Sequence, residues 1–475
     1  MFRFALSWPA RLLPPAATVQ WSVAALVAAL LAAPSAQADD DSRFSDVPTP
    51  LNPATFPARP APIVTIGQNP FLGNGYIAPG FVIPTGAVWQ PVFIVYGDIR
   101  TAFQTYDSGG GQTTEWANKA DIFGNLYFTP TERILVGFRP LDDQWQEANG
   151  TNYGYRFQPS SQKGTVNPIN GELTTAFFEG DFGELFPNLD PKDVKSLDYG
   201  FSIGRQPLVA QDGLLINDSV DMIGITRSSL FLAGSNASHL TVLFGWNNLA
   251  QGDNIKQDDA RLFGFQSSFD YPKITLEADA FYVTAPDNAS GDGVYAGLGL
   301  TRRFDYINST TRIVTSQAID HQSAAIGTGT LLFQQLSLTL PHGDNLVYWD
   351  TFFAIDHFTS AGRNPDAGGP LTTTGFLYDS VDLGSYSAAL SNQAANDVGT
   401  AIGYQMYFNH RYNQLILEIG ARTNTKGPGS SAGAVGAEWQ QAIGRHLILQ
   451  YDGFVGTAEN RERSYGARTE LEVKF

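Results

Sequence analysis

The chain has 475 residues, no cysteine, 46 acidic against 29 basic residues and 12% aromatic residues. The absence of cysteine excludes disulfide scaffolds, thiolate metal sites and cysteine nucleophiles. The formal charge of −17 argues against a nucleic-acid-binding protein, because binding to a duplex needs a basic face.

Residues 1–38 are predicted to be a secretory signal peptide. Arg3 and Arg11 precede an apolar run over residues 21–33, and an A-x-A site ends at Ala38. The apolar run is too short to span a bilayer, which takes roughly 20 residues. We therefore expect cleavage after Ala38 and no transmembrane helix in the mature chain.

Residues 39–90 contain nine prolines. Proline cannot donate to a sheet ladder or sit inside a helix. This segment is therefore predicted to be an extended N-terminal arm that does not fold alone.

From about residue 92 onward, apolar and polar residues alternate with a period of two. In the last segment Tyr465, Leu471 and Phe475 share one face, while Arg468 and Glu470 share the other. Each strand therefore has an apolar face and a wet face. Eighteen strands are predicted, over residues 92–105, 116–129, 131–140, 173–184, 198–207, 219–232, 238–249, 259–271, 272–284, 293–305, 308–318, 328–341, 344–358, 398–410, 413–424, 432–443, 446–457 and 464–475.

The connections between these strands alternate in length. Those after even-numbered strands are mostly short, and those after odd-numbered strands are mostly longer and polar. Bacterial outer-membrane barrels have this asymmetry, with short periplasmic turns and longer outer loops. A soluble β-sandwich is the alternative, but its strands are usually shorter. Residues 91–475 are therefore predicted to form an all-β, transmembrane, antiparallel up-and-down β-barrel of 16–18 strands, with both termini in the periplasm.

Two stretches resemble known families. The alternating end of the chain, with its terminal Phe475, resembles the assembly signal of Gram-negative outer-membrane proteins. This resemblance implies a bacterial outer-membrane location and recognition of Phe475 by the barrel-assembly machinery. Residues 204–206 with residues 211–218 resemble a segment of alginate-export-type barrels and related porin-like families, although Pro207 and Val209 depart from that pattern. Those families are eighteen-stranded channels.

Charged residues of both signs occupy the predicted wet faces. A charge facing lipid at mid-depth costs roughly 2–4 kcal/mol, so we expect these residues to line a water-filled lumen. The alternative is that they pair with each other and only support the wall. The predicted pore-lining residues are Asp98, Arg100, Asp121, Arg133, Arg139, Arg205, Arg227, Glu277, Asp279, Asp350, Asp356, Glu418, Arg422, Asp452, Arg468 and Glu470.

Residues 207–219 are the best candidate for a constriction. An apolar stretch in an outer loop can be hidden by folding into the barrel, or by packing on neighbouring loops outside it. The loops over residues 141–172 and 359–397 are also long enough to fold inward. The constriction candidates are Gln211, Asp212, Leu214, Leu215, Asn217 and Asp218, with the apolar residues between the polar ones.

These features predict an outer-membrane porin for passive, selective diffusion of small hydrophilic solutes. We expect membrane lipid and solutes as partners, and no nucleic acid, cofactor or metal; a homotrimer is compatible with the sequence. One alternative is export of an anionic polysaccharide, which would need a continuous arginine path. Another is a barrel-embedded hydrolase using His357 beside Asp356 and Ser360, but the chain has no G-x-S-x-G or HExxH motif. The third is a structural or adhesive barrel with a closed lumen.

Overall fold

The computed structural model describes residues 57–67, 79–109, 111–142, 154–165, 169–189, 191, 197–285, 291–341, 343–427, 430–459 and 461–475. The predicted signal peptide lies outside the described residues. The described parts of the N-terminal arm contain the short strands Val64–Ile66, Phe81–Val82 and Val88–Trp89. None of the described helices is both long enough and apolar enough to span a membrane.

Eighteen long strands, numbered β1 to β18 in chain order, make up the wall of the described structure. Every predicted strand is present, and its ends agree with the prediction to within four residues. The strands are Val92–Asp107, Thr113–Tyr127, Arg133–Leu141, Ile169–Asp181, Tyr199–Ala210, Ile216–Leu230, Ala237–Asn247, Arg261–Asp270, Ile274–Thr284, Gly293–Phe304, Ile307–Ala318, Gly329–Thr339, Leu346–Phe358, Asp397–Phe408, Asn413–Asn424, Ala432–Ile443, Leu447–Ala458 and Arg461–Lys474.

The sheet closes on itself. Each strand pairs antiparallel with its neighbours in sequence, and β18 pairs with β1, with Lys474 opposite Asp98 and Tyr465 opposite Asp107. Closure leaves no long edge of unpaired backbone groups, which a sheet in hydrocarbon could not tolerate. The predicted all-β, antiparallel up-and-down barrel is thus confirmed.

Side chains alternate between the two faces of the wall. On β1, Ile99 and Phe103 are exposed on the outer face, whereas Ala102 and Gln104 are buried on the inner face. The outer face is apolar on most strands, as a surface in contact with lipid requires.

The two ends of the barrel differ. We call the end that carries Val92 and Lys474 the turn end, and the opposite end the loop end. The loop end carries the connection between β13 and β14, residues 359–396, which has only short strands and 3₁₀ turns of its own. One turn-end connection, between β4 and β5, is longer than the short turns predicted for most connections at this end, and it contains the helix Phe182–Leu185.

An apolar core fills part of the lumen. In the loop-end half of the barrel, the inner faces of β7 to β14 are largely apolar and pack against the 359–396 connection and the tip of the β5–β6 hairpin. Core residues include Leu215, Leu243, Phe281, Tyr295, Phe333, Phe352, Leu371, Tyr378 and Leu390. The remaining space lies mainly along β1 to β4 and β16 to β18, where the inner side chains are charged.

Candidate functional site

The hairpin formed by the ends of β5 and β6 folds into the barrel. β5 pairs with β4 only up to Arg205, which lies opposite Ala176, and β6 pairs with β7 only from Asp221 onward. Residues 206–220, which we call the inner hairpin, leave the wall on both sides but stay paired with each other. Gly204 at the bend has a φ of +124°, and a Cβ there would overlap the carbonyl oxygen of Ala176.

The tip of the inner hairpin reaches the wall formed by β9 and β11. Gln211 Nε2 donates to Asp279 Oδ2 at 2.7 Å. Arg312 donates through Nη1 to Gln211 Oε1 at 2.9 Å and through Nε to Asp212 Oδ2 at 2.7 Å. Residues 214–216 are completely buried in the apolar core. The segment therefore takes the inward arrangement of the two that the sequence left open, and its role as a constriction stays a prediction.

The remaining polar residues of the candidate constriction join the inner hairpin to other segments. Asp218 Oδ2 accepts a hydrogen bond of 2.7 Å from the backbone N–H of Ala250. The carbonyl oxygen of Asn217 accepts one of 2.9 Å from the N–H of Asn364. The strands that were predicted to end at residue 207 and to begin at residue 219 both continue into the hairpin. Their connection is therefore a tight turn of residues 211–215 and not a loop of residues 208–218.

The 359–396 connection, which we call the inner loop, is held against the inner hairpin by a buried arginine. Arg363 donates to the carbonyl oxygens of Gly213 and Gly368, each at 2.7 Å, and of Ala367 at 2.6 Å. It also donates to Thr372 Oγ1 at 3.1 Å. These four bonds join the hairpin tip and the inner loop into one unit.

Wall carboxylates hold the other parts of the inner loop. Glu418 of β15 accepts hydrogen bonds of 3.0 Å from the backbone N–H groups of Phe376 and Leu377. Glu115 of β2 accepts one of 2.6 Å from the N–H of Ser385. A carboxylate that accepts backbone N–H groups makes charge-assisted bonds, which are stronger than neutral ones. The inner loop is therefore fixed to both sides of the open part of the lumen.

Three cations of neighbouring strands face the inner loop at mid-depth. Arg100 of β1 lies opposite Lys119 of β2 in the ladder, and Arg139 belongs to β3. Lys119 Nζ is 2.6 Å from Asp382 Oδ2, and Arg139 Nη1 is 2.8 Å from Asp366 Oδ2. Burial raises the pKa of Asp366, but Lys119 and Arg139 outweigh it and hold that pKa below its ordinary value. Asp366 is therefore ionised at neutral pH.

Two cavities flank this row of cations. The loop-end cavity has a volume of about 520 Å³ and opens among the loops after β3 and β7. The turn-end cavity has a volume of about 270 Å³ and lies under the inner loop, against β16 to β18 and β1. The charged residues of the loop-end cavity are Asp121, Arg139, Asp142, Glu172, Lys256 and Asp366. Those of the turn-end cavity are Arg100, Asp379, Glu438, Asp452 and Arg468.

A third space lies beneath the tip of the inner hairpin. It also has a volume of about 270 Å³, and its lining includes His239, Asp212, Glu277 and Asp279. All three cavities are therefore lined by ionisable side chains, as water-filled regions of a lumen would be.

Most of the predicted pore-lining residues lie on the inner face of the wall, opposite the exposed apolar residues of their strands. These are Asp98, Arg100, Asp121, Arg133, Arg139, Glu277, Asp279, Asp350, Glu418, Arg422, Asp452, Arg468 and Glu470. Many are paired, as in the bond of 2.6 Å from Arg468 Nε to Asp452 Oδ2. Arg205 lies at the base of the inner hairpin, where its Nε is 2.7 Å from Asp221 Oδ1.

Two of the predicted residues lie elsewhere. Arg227 shares the outer face with Ile225 near the turn end, where it stacks on the ring of Tyr199 at 4.7 Å. Near the rim an arginine can keep its charged head in the polar interface while its stem covers apolar surface. Asp356 is exposed at the loop-end rim, where it is 2.6 Å from Lys426 Nζ. Arg227 does not line the lumen, so the prediction was wrong for this residue, whereas for Asp356 at the rim it stays a prediction.

The residues of the hydrolase alternative do not form a triad. Ser360 Oγ is buried and donates to the carbonyl oxygen of Leu214 at 2.6 Å, and Asp356 pairs with Lys426 rather than with His357. Within the described ranges, no group of three or more His, Asp or Glu residues is arranged to hold a metal ion.

Several charged residues of the lumen were not among the predicted ones. Lys119 and Glu115 stand at even spacing from Asp121 on β2, so the alternation alone would have placed them on the inner face. Arg312 could have been found in the same way on β11. Asp366 and Asp382 belong to the inner loop, where no periodic pattern points to them.

Comparisons with known proteins show similarity at the level of structure. No family model matches the chain, and no curated protein matches its sequence. A BenF-like porin from Pseudomonas fluorescens Pf-5 matches with a TM-score of 0.57 at 10% identity, over 81% of this chain and 98% of that chain. The outer-membrane protein OpdK from Pseudomonas aeruginosa matches with a TM-score of 0.53 at 11% identity, over 81% and 98%. OccK2 (OpdF) from the same species matches with a TM-score of 0.53 at 11% identity, over 81% and 97%. At such low identity the likeness concerns the fold, so the chain shares the barrel fold of these outer-membrane proteins.

Proposed function

We propose that the protein is a channel of the bacterial outer membrane that lets small hydrophilic solutes diffuse passively and selectively. The observation that carries this proposal is a closed barrel with an apolar outer face and cavities lined by charged side chains inside the lumen. The apolar outer face contacts membrane lipid. The loop end faces the outside and the turn end faces the periplasm, because outer-membrane barrels keep their short turns on the periplasmic side.

The structural neighbours support a small solute. One of them is a porin, and another, OpdK, has a solved structure with vanillate, a small aromatic carboxylate. In the proposed mechanism, a solute enters the loop-end cavity, loses part of its water beside the inner loop and leaves through the turn-end cavity. The charged side chains along the route replace part of the lost hydration.

The other predicted partners belong to the same proposal. Phe475 at the end of β18 would be the group that the barrel-assembly machinery recognises. A homotrimer is a further proposal, which chemical cross-linking in native membranes would test.

Export of an anionic polysaccharide is less well supported. It would require a continuous path of arginines that are free to bind the polymer. In this lumen Arg100, Arg139 and Arg468 each pair with a carboxylate at 2.6–2.8 Å. The inner loop and inner hairpin also fold into the lumen, where they pack in its apolar core.

Conductance across a planar bilayer tests the proposed function. Purified, refolded protein should produce stepwise current increases with weak ion preference, and liposomes that contain it should swell in small sugars or amino acids. Heat-unfolded protein is the control and should produce neither signal. Folded barrels that give no conductance and no swelling would show that the lumen is closed, which would contradict the proposal.

A further inference from the structure

Lys119 lies beside both main cavities. The loop-end cavity is bounded by Asp366 and Arg139, and the turn-end cavity by Arg100 and Val381 of the inner loop. Lys119 lines neither cavity and is only 2% exposed, although its ladder partner Arg100 lines one of them and Asp121, two residues along β2, lines the other. Its buried side chain therefore lies between residues that line the two cavities.

The contacts of Lys119 reach the boundaries of both cavities. Its Nζ is 3.6 Å from Asp366 Oδ2 on the loop-end side and 2.6 Å from Asp382 Oδ2 on the other side. It also donates to the carbonyl oxygen of Asp382 at 3.3 Å. Arg100 closes the turn-end side by donating to the carbonyl oxygens of Val381 at 3.2 Å and Asp382 at 3.4 Å.

Lys119 is the part of this barrier that can move with the fewest broken contacts. The backbone of the inner loop is held by Glu418, Glu115 and Arg363, so a shift of the whole loop would break many hydrogen bonds at once. Arg139 is held by two bonds to Asp121 besides its contact with Asp366. Lysine is a point charge on a flexible stem of four carbons, and its partners here are two carboxylates and one carbonyl.

We propose that Lys119 is the gate residue between the two cavities, and that a solute passes only when its side chain leaves Asp366 and Asp382. This inference rests on the proposed channel function. It assigns the size limit and part of the selectivity of the channel to one side chain and two loop carboxylates. Opening requires a change of side-chain conformation and no rearrangement of the barrel wall.

Single-channel recordings of Lys119→Ala test the gate. Truncation should join the two cavities, so conductance should rise by about twofold or more, since pore width limits the flow. Liposome swelling should then admit larger sugars than the wild type admits. Lys426→Ala is the matched control, because it removes the same charge from an exposed ion pair at the rim, and it should conduct like the wild type.

A second variant separates the gate from effects on folding. Asp366→Asn with Asp382→Asn leaves β2 unchanged but removes the carboxyl groups that hold Lys119, so it should also raise conductance, with more frequent flickering. Shift of the band on unheated gels verifies that each variant forms a barrel. If the folded Lys119→Ala variant and the folded double variant both conduct like the wild type, the proposal of a Lys119 gate is wrong, while the proposed channel function is unaffected. If the wild type and every variant fail to conduct, both the channel and the gate are wrong.

Discussion

Arg363 places a positive charge in the interior of the barrel among uncharged acceptors. It is almost fully buried, and its partners are three carbonyl oxygens and one hydroxyl. Burial lowers the pKa of Arg363 to about 10, so the guanidinium is still charged at neutral pH. Its geometry, with several donors in a planar fork, suits an arrangement in which one side chain joins two segments.

Replacing Arg363 with methionine should loosen the inner hairpin from the inner loop. The substitution keeps most of the volume but leaves buried carbonyl groups without donors, at a cost of about 1–3 kcal/mol for each orphaned group. We expect a lower free energy of unfolding and noisier open-channel current. Arg411→Met is the control, because Arg411 forms an exposed ion pair with Asp344. Equal noise and equal stability in the two variants would contradict the structural role given to Arg363.

The charged residues of the lumen also show what the sequence can and cannot reveal at this scale. Alternation along β18 placed Arg468 and Glu470 on the inner face, because the face of a strand residue depends only on its neighbours in sequence. The contact between Lys119 and Asp382 joins positions 263 residues apart. Such a pair exists only after the barrel has closed and the inner loop has folded into it, so no local pattern predicts it.

Among the elements, the inner hairpin depends on one glycine. β5 must leave β4 after Arg205, and the positive φ of Gly204 produces the bend. In that conformation other residues are strained, and a Cβ would overlap the backbone of the neighbouring strand.

Gly204→Ala should therefore reduce the yield of folded barrel. Strain of this kind costs about 1–3 kcal/mol, and relief of the overlap would move β5 away from β4. The measurement is the fraction of protein that runs as a compact band without heating after refolding. Gly200→Ala on the same strand is the control, because the nearest atom to its Cβ would be the carbonyl oxygen of Thr226 at 3.9 Å. A Gly204→Ala barrel that refolds as well as the control would show that the bend tolerates a side chain.

The elements differ in how far the sequence predicts them. The eighteen strands follow from a period-two pattern that is local, and they agree with the structure. The inner loop has no period: Leu377, Leu383 and Leu390 are separated by polar residues and by Gly384, and all three are buried only because the wall surrounds them. For residues 214–216 the apolar character predicted burial, but not whether the partner would be the lumen or the neighbouring loops.

The closure of the barrel involves the N-terminal arm. The backbones of Phe475 and Gly97 exchange hydrogen bonds of 2.7 and 2.9 Å where β18 ends. Beyond that point the strand Val64–Ile66 pairs with residues 93–95 of β1. An unpaired edge beside hydrocarbon is costly, so the arm completes the wall where the C-terminal strand runs out.

Replacing residues 57–67 with a glycine–serine segment of equal length should weaken this seam. We expect the barrel to convert to the unfolded gel band at a lower temperature than the wild type, because the edge of β1 loses its partner. Thr65→Ala is the control, since it keeps the strand. An unchanged transition temperature in the glycine–serine variant would mean that the edge of β1 needs no cover from the arm.

The apolar core along β7 to β14 has a consequence for how such a barrel can diverge. On one flank of the barrel the inner side chains are closely packed, so steric fit limits which substitutions are tolerated there. The opposite flank, from β16 through β18 to β4, borders the open space, and its inner side chains would meet the solute of the proposed channel. Substitutions that change the preferred solute of the proposed channel can therefore accumulate on this flank without loosening the packing on the other. The barrel can keep its ability to fold while its selectivity changes.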